Sequence, residues 1–120
     1  MQNKPKYSIF KNAMYAIEGV LIAVKTETSF KLELFFGFFI VLSIILLPLT
    51  LSSKLILFVT AIIIAVTELL NSAIENVVDL VTQEIHPLAK YAKDMGAAAV
   101  LFTVLLHLIC WCVIIYKELL

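Results

Sequence analysis

Arginine is missing from these 120 residues, and all nine basic side chains are lysine. Bidentate guanidinium clamping of phosphate is therefore excluded. A phosphate would have to be met by lysine point charges, backbone N–H groups or metal. Charged residues are only 15% of the chain and balance to zero, which gives no electrostatic footprint for a nucleic acid. Glycine and proline number three each. No low-complexity tract, flexible linker or internal repeat is found. Neither a Walker A sequence nor a kinase-type glycine-rich loop occurs, so both familiar nucleotide-binding loops are excluded. The two cysteines, Cys110 and Cys112, flank Trp111 inside an apolar run. At i and i+2 they face different sides of a helix and read as packing residues, not as a disulfide framework or metal site. The first thirty residues carry Lys4, Lys6, Lys11, Lys25 and Lys31 and lack a short apolar core followed by a small-residue cleavage site, so no secretory signal is expected.

What the chain does contain is hydrocarbon. It is 62% hydrophobic with a mean hydropathy of +1.06, against roughly 45–50% apolar residues in soluble domains. The length predicts one membrane domain, residues 1–120, with no room for a separate soluble catalytic domain. The pattern predicts an all-α membrane protein. After a loose polar tail over 1–7, apolar residues at Ile9, Phe10, Ala13, Met14, Ile17, Leu21 and Val24 oppose Lys11, Asn12, Glu18 and Lys25. This predicts an amphipathic helix over about 8–25 lying in the membrane interface. Three spans are expected at about 32–50, 55–82 and 95–116. A polar connection over 26–31 containing Glu27, a short turn at Lys54 and a loop over 83–93 containing Pro87 join them. Lysines concentrate on the side of the N-terminus and the 83–93 loop, with only Lys54 and Lys117 opposite. The positive-inside rule makes the first side cytoplasmic.

The second span carries the most informative pattern. Glu68, Asn71, Glu75 and Asp79 follow an uncharged run at i, i+3, i+7 and i+11, and so share one helical stripe. Ionisable groups at such a depth are costly and face a bundle interior or a wet cavity. Glu68 lies deepest and suits a desolvated proton acceptor or, equally, a structural carboxyl bonded between helices. Glu75 and Glu27 suit a shared Mg²⁺, which needs only one or two carboxylates beside phosphate oxygens. Lys93 suits neutralisation of a transferring phosphoryl group, although Lys93-Asp94 alone reads more simply as a solvated helix start. His107 reads as a helix–helix hydrogen bond and Gly96 to Ala99 as a close-packing patch.

The run Glu68-Leu-Leu-Asn-Ser-Ala-Ile-Glu75, followed by Asp79 and by Ala92-Lys93-Asp94-Met95-Gly96, resembles the signature of the prokaryotic diacylglycerol kinases, and the similarity extends over nearly the whole chain. The resemblance implies a surface helix with three spans, assembled as a homotrimer with composite sites between subunits. It implies phosphorylation of diacylglycerol to phosphatidic acid by MgATP at the inner, cytoplasmic membrane. Glu68 would match the catalytic base, and Glu27 and Glu75 the metal carboxylates. The nucleotide would meet Tyr15, Glu27, Asn71, Glu75, Glu84, His86, Lys93 and Asp94. The lipid would meet Ser29, Phe30, Lys31, Leu32, Glu33, Glu68, Ala97 and Trp111. Ser8 and Ile17 stand where well-known members have Arg and Trp. The loop His86 to Lys90 is more similar to the sister branch, the undecaprenol kinases. The alternatives weighed are therefore a polyprenol acceptor, a proton- or ion-conducting oligomer that uses the carboxylates as a pathway, and a structural assembly protein.

Overall fold

A computed structural model describes residues 8–120 as four helices joined by short connections; the polar tail with Lys4 and Lys6 lies outside the described residues. The helices are α1 (Ile9–Thr26), α2 (Thr28–Leu46), α3 (Leu51–Val81) and α4 (Pro87–Glu118). Helices α2, α3 and α4 are long and apolar enough to cross a membrane. At 31 and 32 residues, α3 and α4 are each about 45–48 Å long by helical rise. A hydrocarbon core of about 30 Å leaves their polar ends outside it.

Three boundaries differ from the sequence expectation. The connection expected over 26–31 shrinks to Glu27, which is extended at φ −105° and ψ 108° and serves as C-cap of α1 and N-cap of α2. Thr28 to Lys31 are helical because polar residues fit the first turn of a helix that has not yet entered lipid. The second span starts at Leu51 rather than near Leu55, because the Thr50 side chain accepts a hydrogen bond from the Ser53 N–H and caps it. Lys54 belongs to that first turn and donates to the Ile45 carbonyl at 2.9 Å. The loop expected over 83–93 covers only 82–86. Pro87 starts a helix here instead of breaking one. Its missing N–H falls at a position without an intrahelical partner, and His86 Nδ1 accepts from the Leu88 N–H at 3.1 Å. Lys93 and Asp94 therefore sit inside α4 and not at a loop junction.

Helix α3 is the centre of the fold. It packs most extensively on α4, less on α2, and touches α1. The apolar core lies toward the end bearing the α2–α3 turn and consists of Ile44, Leu49, Leu57 and Ile114, with Cys110 and Trp111 packed against it. Cys112 is exposed and Cys110 half-buried, and both are free thiols. Large apolar residues such as Phe38, Phe102, Ile109 and Val113 point outward, as they must on a helix surrounded by lipid.

Candidate active site

Toward the opposite end of α3 from the apolar core, the first part of the polar stripe is buried against its neighbours, and Glu75 and Asp79 beyond it are half-buried. Glu68 and Asn71 are each 8% exposed and Ser72 is 6% exposed. They face inward because a 3.6-residue period aligns them one above another, while Leu70, Ile74 and Val77 on the opposite face are exposed. Asn71 Nδ2 donates to Glu75 Oε1 at 3.2 Å. Its Oδ1 is buried and accepts no hydrogen bond. That amide lies directly against Gly96 of α4, where an added Cβ would stand 2.0 Å from Asn71 Oδ1. The small-residue patch of α4 thus has a definite purpose at Gly96: only glycine lets the asparagine fit between the helices.

Two further carboxylates approach from the other helices. Glu33 of α2 is half-buried near enough to Glu68 for the two charges to interact, and its Oε1 is buried without a hydrogen-bond partner. Glu27, at the α1–α2 joint, lines a cavity of about 470 Å³ with Gly19 and Ala23 of α1 and Ser72 and Asn76 of α3. The only ion pairs among the described residues are Lys93–Asp79 at 2.6 Å and Lys90–Asp94 at 2.5 Å. Glu27, Glu33, Glu68 and Glu75 thus have no cationic partner among those residues. No three His, Cys, Asp or Glu side chains of the described residues converge into a metal-binding group. A carboxylate excess with an orphaned amide oxygen suits a hard cation that brings its remaining oxygen ligands with it.

The residues expected at the nucleotide are not brought into one place. Glu84, His86, Lys93 and Asp94 line a second cavity of about 340 Å³ at the α3–α4 loop, together with Asp79 and Thr82. Glu27 lines the first cavity, Asn71 is buried on α3 and Glu75 is half-buried one turn further along. Tyr15 is 40% exposed on α1 and lines neither cavity. Of the residues expected at the lipid, Glu33 and Glu68 lie within range of each other's charge. Ser29, Lys31, Leu32 and Ala97 are exposed. Phe30 is one of the two most fully buried large side chains and so is closed to a lipid in this structure. Trp111 lies fourteen residues along α4 from Ala97, roughly 21 Å by helical rise, and does not join the carboxylates.

Trp111 instead ends a closed relay. Its Nε1–H donates to His107 Nε2 at 2.9 Å. An indole can only donate, so the neutral imidazole carries its proton on Nδ1. From there it donates to Thr60 Oγ1 at 2.7 Å, and Thr60 in turn donates to the Ile56 carbonyl at 2.9 Å. His107, 3% exposed, thus makes the helix–helix bond the sequence suggested. Sequence reading missed its partner Thr60, which lies 47 positions away on another helix. It also missed the Lys93–Asp79 pair, for which opposite charge on facing helix ends was the available signal, and Ser72 and Asn76 beside Glu27.

Comparison with known proteins identifies the family. The family model for prokaryotic diacylglycerol kinase matches residues 14–115. The chain is 34% identical over 113 residues to the diacylglycerol kinase of Escherichia coli (strain K12), covering 92% of this chain and 90% of that protein. It is 42% identical over 88 residues to the diacylglycerol kinase of Synechocystis sp., covering 72% of this chain and 50% of that protein. It is also 36% identical over 91 residues to the undecaprenol kinase of Bacillus subtilis, covering 76% and 74% respectively.

Proposed function

The chain belongs to the prokaryotic diacylglycerol kinase family and is a membrane kinase, and we propose that it transfers the γ-phosphoryl group of ATP to the hydroxyl of diacylglycerol, giving phosphatidic acid. The observation that carries this reading is Glu68: a carboxylate 8% exposed at the inner end of a membrane span, beside Glu33 and without a cationic partner among the described residues. In the proposed reaction the acceptor oxygen forms a bond to the γ-phosphorus while the bond from that phosphorus to the β-phosphate bridging oxygen breaks, releasing ADP. Glu68 takes the hydroxyl proton. Phosphoryl transfer depends mainly on positioning and charge stabilisation, so the remaining residues orient the reactants. Asn71 holds Glu75 in place through its amide. Asp79 holds Lys93 toward the loop cavity, where its ammonium would meet phosphate oxygens.

Glu27 and Glu75 would hold Mg²⁺. When bound, that ion would neutralise the phosphate oxygens and fix their orientation. We further propose that the protein is a homotrimer with sites completed between subunits. It would lie in the inner membrane with the N-terminus, Glu27 and the α3–α4 loop in the cytoplasm. The lysine distribution supports that orientation: Lys11, Lys25, Lys31, Lys90 and Lys93 lie on one side, against Lys54 and Lys117.

The similarity to an undecaprenol kinase favours a second reading, the same chemistry on a polyprenol. Transfer of labelled γ-phosphate by purified protein in mixed micelles, with each lipid offered separately, decides between them. Label in phosphatidic acid supports the first reading, and label only in the polyprenol supports the second. Label in neither, from folded protein, removes both and directs attention to ion flux in liposomes.

A further inference from the structure

We propose that the Ser72 hydroxyl supplies a third protein oxygen to the Mg²⁺ expected at Glu27 and Glu75, a proposal that rests on the kinase reading above. Hydroxyls inside a helix readily bond back to a carbonyl three or four residues earlier. Thr26, Ser43, Thr60, Thr67 and Thr103 all do so here, at 2.7–2.9 Å. Ser53, buried like Ser72, donates to Glu118. Ser72 is only 6% exposed, yet its hydroxyl makes no hydrogen bond among the described residues. A buried hydroxyl in that state costs free energy until a partner arrives.

The surroundings of the hydroxyl define that partner. Ser72 lines the cavity of about 470 Å³ between α1 and α3 together with Glu27. Asn71 Oδ1 is sealed off, whereas the Ser72 oxygen is not, so the hydroxyl is open to this space. Of the other oxygen-bearing side chains on the wall, Thr26 is bonded to the Ile22 carbonyl, and Asn76 is exposed and keeps its water. The remaining lining is apolar. An occupant therefore meets one carboxylate and one free hydroxyl, both oxygen ligands of the kind a hard cation takes.

Helical geometry relates Ser72 to Glu75. At about 100° per residue, Ser72 is turned away from Asn71, which meets Gly96 of α4, and toward the α1 side of α3. Glu75 lies about 40° round from Asn71 and about 60° from Ser72, one turn further along. Ser72 thus shares a cavity with Glu27 while neighbouring Glu75 on the helix surface. Mg²⁺ takes few protein carboxylates and completes its shell with other oxygens. A neutral hydroxyl offers a lone pair without adding negative charge against the phosphates of a nucleotide. A serine or threonine hydroxyl serves Mg²⁺ in the same capacity in P-loop enzymes.

The test compares wild type with Ser72→Ala, Ser72→Thr and Ser72→Cys in detergent micelles without lipid. Binding of Mn²⁺ in the presence of a non-hydrolysable ATP analogue is titrated by electron paramagnetic resonance, and its loss in Glu27→Gln identifies the ion measured. Ser72→Ala should raise the Mn²⁺ dissociation constant about tenfold, the lower end of the range for groups that support a bound metal. Its unfolding midpoint without metal should not change, and Ser72→Thr should restore the affinity. Ser72→Cys should lose affinity for Mn²⁺ and gain it for Cd²⁺, a softer ion that favours thiolate. A sulfur-to-cadmium charge-transfer band should accompany that gain. Wild type, with its free Cys110 and Cys112, is the control for the band. Unchanged Mn²⁺ affinity in Ser72→Ala overturns the proposal, and so does a Ser72→Cys protein without the cadmium band. A lowered unfolding midpoint in Ser72→Ala with Mn²⁺ affinity not restored by Ser72→Thr makes Ser72 a packing residue and also overturns it. Should wild type bind Mn²⁺ and nucleotide but phosphorylate no lipid, the assignment of the acceptor falls, while the metal titrations still decide the role of Ser72.

Discussion

The two ends of the α3–α4 pair use similar polar residues and connect them in opposite ways. Near the α2–α3 turn, Glu118 accepts from the Thr50 N–H at 2.8 Å, from Thr50 Oγ1 at 2.9 Å and from Ser53 Oγ. Its charge also meets the positive end of the α3 dipole. One level deeper, Thr60, His107 and Trp111 donate and accept in a closed sequence that ends on a backbone carbonyl. At the other end, Glu33 and Asn71 each keep a buried oxygen without a donor. Four glutamates there lack a cationic partner among the described residues. Buried polar groups are ordinarily satisfied, so the first end meets the requirement of a stable membrane bundle and the second does not. Groups left short of partners in a folded protein are held ready for something that arrives later. The position of a polar residue in the membrane is thus a weaker guide to function than whether its bonding capacity is already used.

This contrast is broken most sharply at Glu68. Glu68→Gln keeps a hydrogen-bonding side chain of the same shape but removes the base, and should lower lipid phosphorylation by about 100- to 10,000-fold, the range of general base catalysis. Circular dichroism and the unfolding midpoint should stay near wild type, and a folded variant with substantial turnover would remove Glu68 from the reaction.

Gly96→Ala comes next. The new Cβ would stand 2.0 Å from Asn71 Oδ1 and 3.8 Å from Asn71 Cβ, so the single variant should lose roughly 1–3 kcal/mol through overpacking. The double variant Gly96→Ala with Asn71→Ala removes the colliding amide and should regain most of that stability without regaining turnover. Recovery of both together would make Asn71 a packing residue only.

On the satisfied side the signs reverse. His107→Leu leaves the Trp111 N–H without its acceptor and should cost about 1–3 kcal/mol, measured by unfolding in mixed micelles, while kcat per folded molecule is retained. A large fall in kcat at unchanged stability would extend the reactive end of the molecule to the relay. The smallest effects are expected from Glu75→Gln and Glu118→Gln. The first should leave the fold intact and shift the Mg²⁺ concentration for half-maximal rate upward. The second should lower the unfolding midpoint slightly, with no change in the Mg²⁺ titration.

The stripe on α3 was legible in the sequence because helical periodicity is a one-dimensional signal, and so were the spans and the surface helix. The joint at Glu27 was not, because the polar residues after it read as loop but equally suit the first turn of a helix. Pro87 misled for a related reason: the same ring that ends a helix from inside starts one at its first position. What stayed hidden altogether depends on pairing across helices. Nothing local to His107 names Thr60, and nothing local to Gly96 names Asn71. The patch Gly96 to Ala99 announced a close approach without saying what approaches.

The single residue between α1 and α2 has a mechanical consequence. With planar peptide units on either side, Glu27 offers two soft rotations, φ and ψ, and these set the direction of an 18-residue arm about 27 Å long. The same residue presents its carboxylate to the cavity between that arm and α3. Joint and carboxylate are therefore one amino acid: the residue whose two dihedral angles set the direction of α1 also lines the cavity between α1 and α3.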